Sequence, residues 1–269
     1  MANHPIFLTM RNTMENLKKK EFQNSLDLTS DEIERYIPEL LKGLWELGSV
    51  PEYIIELIAR NDLEKDKSII DLGCGKGAVL VQLAQRFDIK AIGVDIVVDF
   101  IEEANIYAKK FAVSNMVEFK TENILETLNT TTKQDIVIYG YDSELLGDLD
   151  STLKQLNNCV KEDGYILIEF MFAEQLTEGM VNNKEMTNII EQTGYRILDR
   201  IDWNREALKQ TNRQNTGVIQ ENVKRLISLY PDKQEIFNEY LQNQIDECEE
   251  LENEYVCTTL LLRQKNYCT

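Results

Sequence analysis

From Ser68 onward, short apolar runs alternate with longer stretches of helical period, and this alternation constrains the fold more than any other feature. The segments Ser68–Asp71, Lys90–Asp95, Met116–Lys120, Asp135–Tyr139 and Gly164–Phe170 read as strands, the last entered from a turn at Lys161–Gly164. Between them, Gly77–Phe87, Asp99–Phe111 and about Asp148–Val160 read as helices. In the second of these, Ile101, Ala104, Ala108 and Phe111 share one face. Strands so nearly continuous in Val, Ile and Leu need cover on both faces, which parallel strands joined by crossover helices provide. A helix near Lys184–Gln192 and strands Tyr195–Trp203 and Glu254–Leu262 continue the pattern. The expected fold is an α/β, doubly wound, mostly parallel seven-stranded sheet with helices on both faces and right-handed crossovers.

Two regions fall outside the alternation. Asp31–Leu47 carries Ile33, Ile37, Leu40, Leu41, Leu44 and Leu47 at helical spacing. Thr29 and Glu32 stand at capping-box spacing, Pro38 should kink the helix, and Gly48 should end it. A second helix is expected over Pro51–Arg60, with Ser49 and Glu52 again at capping-box spacing. Asn204–Asn253 has no strand signal and lies between two strands, so it reads as a helical insertion with a joint at Pro231.

The chemistry concentrates where the first strand ends. Asp71 is followed by Gly73, Cys74, Gly75 and Gly77, and a helix begins near Lys76. Glycines without a Cβ let a ligand lie against the backbone, and a helix start offers N–H donors suited to a carboxylate. Asp95 closes the second strand, where an acidic side chain on a nucleotide-binding sheet accepts hydrogen bonds from ribose hydroxyls. The spacing Gly-x-Gly-x-Gly differs from the Gly-x-Gly-x-x-Gly of NAD-binding sheets, and no P-loop pattern occurs.

The run Asp71-Leu-Gly-Cys-Gly-Lys-Gly77 resembles motif I of the class I S-adenosylmethionine (SAM)-dependent methyltransferases, and Gly93-Val-Asp-Ile96 resembles their second motif. Val117–Leu125, Gln134–Asp142 and Val160–Glu169 are similar to the family's third, fourth and fifth strand segments. The resemblance covers about 68–170 and the last two strands, and implies a Rossmann-like sheet with SAM as cofactor. It also implies that Asp71 and the loop Gly73, Cys74, Gly75 and Gly77 hold the methionine part, with Gly140 and Tyr139 beside it. Asp95 would hold the ribose and Ile96 would pack on adenine. Asn123, followed by Ile124, stands where the family usually has an Asp beside the adenine amino group. An Asn carbonyl can accept from that group, with Glu122 as the fallback. The division expected is 1–65 as an N-terminal helical cap and 66–269 as the SAM-binding domain, with the insertion at about 204–253. Cap and insertion would cover the sheet's carboxyl edge and choose the substrate.

The acceptor is less well marked. The net charge of −18 repels phosphate backbones and anionic membranes, which favours a small-molecule substrate over nucleic acid or membrane partners. Lys18–Lys20 and Lys109-Lys110 read as solvated helix faces. Five scattered cysteines without a C-x-x-C pair, no signal sequence and no long apolar run point to a cytoplasmic protein. No cluster has metal-ligand spacing, so no metal requirement is expected. Tyr141 and Asp142, in the loop after the fourth strand, are the substrate-side candidates. That loop lacks the Asn/Asp-Pro-Pro-Tyr pattern of enzymes methylating nucleobase or glutamine nitrogens. His4 is the only histidine, so no catalytic base is assigned. Trp45 and Trp203 are candidates for either a pocket wall or core. A protein or RNA methyltransferase, or a SAM-binding protein without transfer activity, stays open as an alternative, and a homodimer is compatible with the sequence.

Overall fold

The computed structural model describes residues 32–174 and 180–265. Seven strands form one sheet: β1 (Lys65–Leu72), β2 (Asp88–Asp95), β3 (Val117–Thr121), β4 (Gln134–Gly140), β5 (Val160–Ala173), β6 (Tyr195–Asp202) and β7 (Tyr255–Gln264). Their order is β3-β2-β1-β4-β5-β7-β6. The pairs β1–β2, β1–β4, β2–β3 and β4–β5 are parallel, whereas β7 runs antiparallel between β5 and β6. This is the doubly wound sheet that the alternation predicts, and the order reverses at β1, so the carboxyl ends of β1, β2 and β4 open onto one crevice.

Strand alternation sends side chains into two cores. On one face Ile69, Ile138, Leu167 and Leu261 pack with Ile54 and Ile58 of α2 (Pro51–Arg60) and Leu80 and Leu83 of α3 (Ala78–Arg86). On the other face Ile70, Val137, Ile166 and Leu262 meet Leu149 and Leu153 of α7 (Leu149–Leu156) and Met186 and Ile190 of α8 (Asn183–Gln192). The remaining crossovers are α4 (Val98–Lys110), α5 (Ile124–Thr130) and the short α6 (Ser143–Leu146).

The expected turn at Lys161–Gly164 is instead part of β5, which begins at Val160. A register shift opposite Gln134–Ile136 absorbs the extra residues. Gly164 fits because a Cβ there would stand 2.7 Å from Val160 and 2.9 Å from the Asp135 carbonyl.

The long N-terminal helix is also corrected. A 3₁₀ turn over Glu34–Tyr36 leads into a four-residue helix, α1 (Ile37–Leu40), with Pro38 in its first turn, where a missing N–H costs nothing. The chain then peels away because distant donors take its carbonyls. Asn222 Nδ2 donates to Leu40 O and Lys42 O, and Lys76 Nζ to Leu41 O. The box expected from Thr29 involves a residue outside the described ones.

The insertion is two helices, α9 (Arg205–Leu229) and α10 (Gln234–Asn253), joined at Pro231–Lys233. They share a third core with the N-terminal segment, in which Tyr36, Ile37, Leu40 and Leu44 meet Ile219, Val223, Leu226, Phe237 and Tyr240. Val97 and Phe100 tie that core to the start of α4.

Candidate functional site

The glycine turn after β1 is held by its neighbours. Gly73 N and Cys74 N both donate to Val94 O at 2.9 Å, and Gly77 N donates to Cys74 O. Gly75 N donates to Asp95 Oδ2 at 2.8 Å, while Asp95 Oδ1 accepts from Val97 N at 2.9 Å. Several N–H groups expected to face a ligand are thus spent on the loop itself, and Asp95 is what fixes its shape. A carboxylate has about four lone-pair positions, so Asp95 retains capacity toward hydroxyl donors. Burial raises its pKa, and the amides of Val97, Gly75 and Ile96 oppose that rise.

The three glycines differ in purpose. Gly77, at φ +72°, caps α3, and a Cβ there would overlap Phe119 Cζ at 2.5 Å and Ala104 Cβ at 2.9 Å. Its missing side chain serves helix–sheet packing. Gly73, at φ +82°, keeps its hydrogen side toward Ile124 and borders the cleft. The Cys74 thiol is buried against Gly93, so only its backbone belongs to the turn. Lys76 is fully buried, pairs with Glu103 at 3.0 Å and donates to Leu41 O at 2.9 Å. Together with the Trp45 Nε1 bond to Lys76 O, these contacts tie the N-terminal segment to the loop. Trp45 itself stacks on Tyr107 as packing.

Asn123 follows β3 by two residues and caps α5, its Oδ1 accepting from Glu126 N at 3.1 Å. The carbonyl expected to face an adenine amino group is therefore already engaged. Its Nδ2 is buried without a protein partner, which makes it a donor looking for an acceptor. Glu122 is exposed and accepts from Thr127 Oγ1. Ile96 is half-buried beside Val97 and Phe100.

From Gly73 a cleft of about 330 Å³ runs across the carboxyl ends of β4, β5 and β7. Leu72, Ile124, Tyr139 and Gly140 line its near end, and Tyr141, Asp142, Glu169, Phe170, Trp203 and Cys257 line the rest. The Tyr141 ring meets Phe170 edge-on at 4.6 Å. Asp142 caps α6, its Oδ1 accepting from both Glu144 N and Leu145 N. Trp203 lines the cleft and donates from Nε1 to Thr259 Oγ1 at 2.9 Å.

Glu169 is the residue that sequence reading passed over. It pairs with Gly140 across β4–β5, on the same sheet face as Asp71. Its Oε1 accepts from Val50 N at 3.0 Å, and the hydroxyls of Ser49 and Thr259 also donate to it. Ser49 therefore serves Glu169 and not the helix cap its spacing suggested. Burial pushes Glu169 up to about 7. Asp71 is pushed to about 8, first by burial and then by the carboxylates of Glu169 and Asp95. Its signal was one carboxylate in an otherwise apolar strand, Tyr165–Phe170.

Comparisons with known proteins place the chain in a family. Residues 63–244 match the family model described as a methyltransferase domain. A phosphoethanolamine N-methyltransferase of Arabidopsis thaliana is 24% identical over 67% of the chain; the match spans 35% of that relative's length. A carboxy-S-adenosyl-L-methionine synthase of Nautilia profundicola is 30% identical, with 66% of this chain and 77% of that protein covered. Among solved structures, a SAM-dependent methyltransferase from Thiobacillus denitrificans in complex with S-adenosyl-L-homocysteine superposes with a TM-score of 0.73. It is 17% identical and covers 86% of this chain and 98% of its own. The chain belongs to the class I SAM-dependent methyltransferases, enzymes whose cofactor is S-adenosylmethionine.

Proposed function

We propose that this enzyme transfers the methyl group of SAM to a small molecule held in the cleft beyond Gly140. The observation that carries the reading is the cleft itself, which starts at the glycine turn and has room for a small acceptor. The phosphoethanolamine enzyme among its relatives supports a small acceptor too.

The residues present fit SAM. The turn from Asp71 to Gly77 would hold the methionine part, with Cys74 and Gly75 contributing backbone and Tyr139 and Gly140 closing the far side. The raised carboxyl of Asp71 suits an ammonium neighbour, Asp95 suits ribose hydroxyls, and Ile96 and Ile124 offer apolar surface to adenine. The orphaned Asn123 Nδ2 suits a ring nitrogen, so its role becomes donor, not acceptor. SAM supplies an activated methyl, and the protein's part is to align the acceptor with it, which is worth several kcal/mol. Tyr141 and Asp142 line the acceptor side. The N-terminal segment and the α9–α10 hairpin act as the cap over the sheet's carboxyl edge.

The carboxy-S-adenosyl-L-methionine synthase among its relatives suggests a second chemistry, in which SAM itself is modified. Among the described residues no Lys or Arg lines the cleft to hold an anionic carboxyl donor, which favours methyl transfer. The acidic net charge supports neither nucleic acid nor an anionic membrane as partner, and no helix among the described residues is long and apolar enough to cross a membrane. The four cysteines among the described residues have free thiols, which supports a reducing, cytoplasmic setting. Calorimetric titration with SAM and S-adenosylhomocysteine tests the reading: micromolar binding is expected, and binding of NAD with neither of these would overturn it.

A further inference from the structure

We infer that the acceptor is an amine bound as its ammonium ion, and that Glu169 is both its counter-ion and the group that receives its proton. The inference rests on the reading that SAM occupies the β1–β3 side of the crevice. The β4–β5–β7 side is then the acceptor's.

Glu169 stands on the floor of that side, two strands from Asp71. Its donors are aligned on it: Val50 N, the Ser49 hydroxyl, and the Thr259 hydroxyl, whose oxygen is occupied by Trp203 Nε1. Three donors converge on a carboxylate with about four acceptor positions, so the ionised form is the one the site is built to receive, with one position left over. Among the described residues lining the cleft the charged ones are Asp142, half-buried with Oδ1 spent on the α6 cap, and Glu169, the one that is buried. A buried carboxylate without a cation costs several kcal/mol. The walls around it are Tyr141, Phe170 and Trp203, whose ring faces favour a cation over an anion.

Methylation of nitrogen needs its lone pair. The ammonium proton passes to the Glu169 carboxylate, and the lone pair forms the N–C bond. The C–S bond breaks with its electrons left on sulfur, and the proton then leaves to solvent. With no acceptor bound, burial holds Glu169 near 7; the paired ammonium keeps it as the carboxylate that takes the proton, and the methylated cation, once formed, favours release of that proton to solvent. The titratable groups around it are Asp71 on β1, Tyr141 and Asp142 after β4, and Cys257 on β7. Arg205 of α9, which reaches β7 at Tyr255 O, is paired with Glu174.

The test uses the protein loaded with S-adenosylhomocysteine and titrated calorimetrically with ethanolammonium and phenethylammonium, beside phenylethanol and phenylacetate. At least one ammonium probe is expected to bind at least about tenfold more tightly than the neutral and anionic probes. In Glu169→Gln that preference disappears while S-adenosylhomocysteine affinity stays within about threefold. A cation beside Glu169 lowers its pKa, so binding at pH 7 releases protons and weakens as pH falls from 7.5 to 5.5, about one unit or more below the free group's value. That readout needs only wild-type protein and stands even if the variant fails to fold. Equal or tighter binding of phenylacetate, no ammonium binding, or no proton release overturns the inference. Failure to bind S-adenosylhomocysteine at all would instead overturn the cofactor reading beneath it.

Discussion

At the scale of single residues, Asp95 holds Gly75 N, and in the function proposed above it would also offer oxygens to a ribose. Asp95→Ala should therefore weaken S-adenosylhomocysteine at least about tenfold, about 1.4 kcal/mol, in a calorimetric titration. Asn123 separates the same tasks differently. Asn123→Asp keeps the cap and removes the orphaned donor, whereas Asn123→Ala removes both and should cost about 1 kcal/mol in urea unfolding. Asp71 and Glu169 are buried carboxyls raised to about 8 and about 7, so the folded protein holds their protons more tightly than the unfolded chain does. The stability they contribute is full below their ordinary values of 3.8 and 4.5 and is lost progressively from there as pH rises, the loss ending as pH passes 7 to 8. The melting temperature of the free protein should fall over that window, with a shallower fall in Glu169→Gln; equal slopes would show that Glu169 does not titrate there.

At the scale of elements, the glycine turn is a junction where α3, α4 and β3 meet. Gly77→Ala drives a Cβ into Phe119 and Ala104 from a left-handed backbone, so a loss of about 2 kcal/mol or more is expected in denaturant unfolding. This junction was legible in the sequence because strand, turn and helix are consecutive, and the aliphatic runs gave all seven strands. The N-terminal helix was not, because what ends it at Leu40 is Asn222 and Lys76, far along the chain. The acceptor side was hidden for the same reason. Ser49, Glu169, Trp203 and Thr259 come from four separate segments and meet only across the sheet, and no local period joins them. The hairpin was visible as a polar helical stretch, but its packing against Tyr36 and Leu44 had no signature in either segment alone.

At the scale of the whole molecule, the cleft continues beneath the hairpin. A second cavity of about 220 Å³, lined by α9 and α10, shares Leu47, Gly48, Trp203 and Leu251 with it. In the function proposed above, the hairpin would therefore bound the acceptor's space through Leu251. Narrowing the passage with Leu251→Trp should raise the acceptor KM about tenfold while S-adenosylhomocysteine affinity stays within about twofold; an unchanged KM would place the acceptor elsewhere. The net charge of −18 acts over longer distances. It raises the concentration of cations near the cleft and lowers that of anions, an effect screened beyond about 10 Å at 0.1 M salt. For an ammonium acceptor, kcat/KM should fall several-fold between about 0.02 and 0.5 M NaCl, chiefly through association. A neutral acceptor would show no such slope, and an anionic one would gain, so the sign of the salt dependence reports the charge of the substrate independently of any mutation at Glu169.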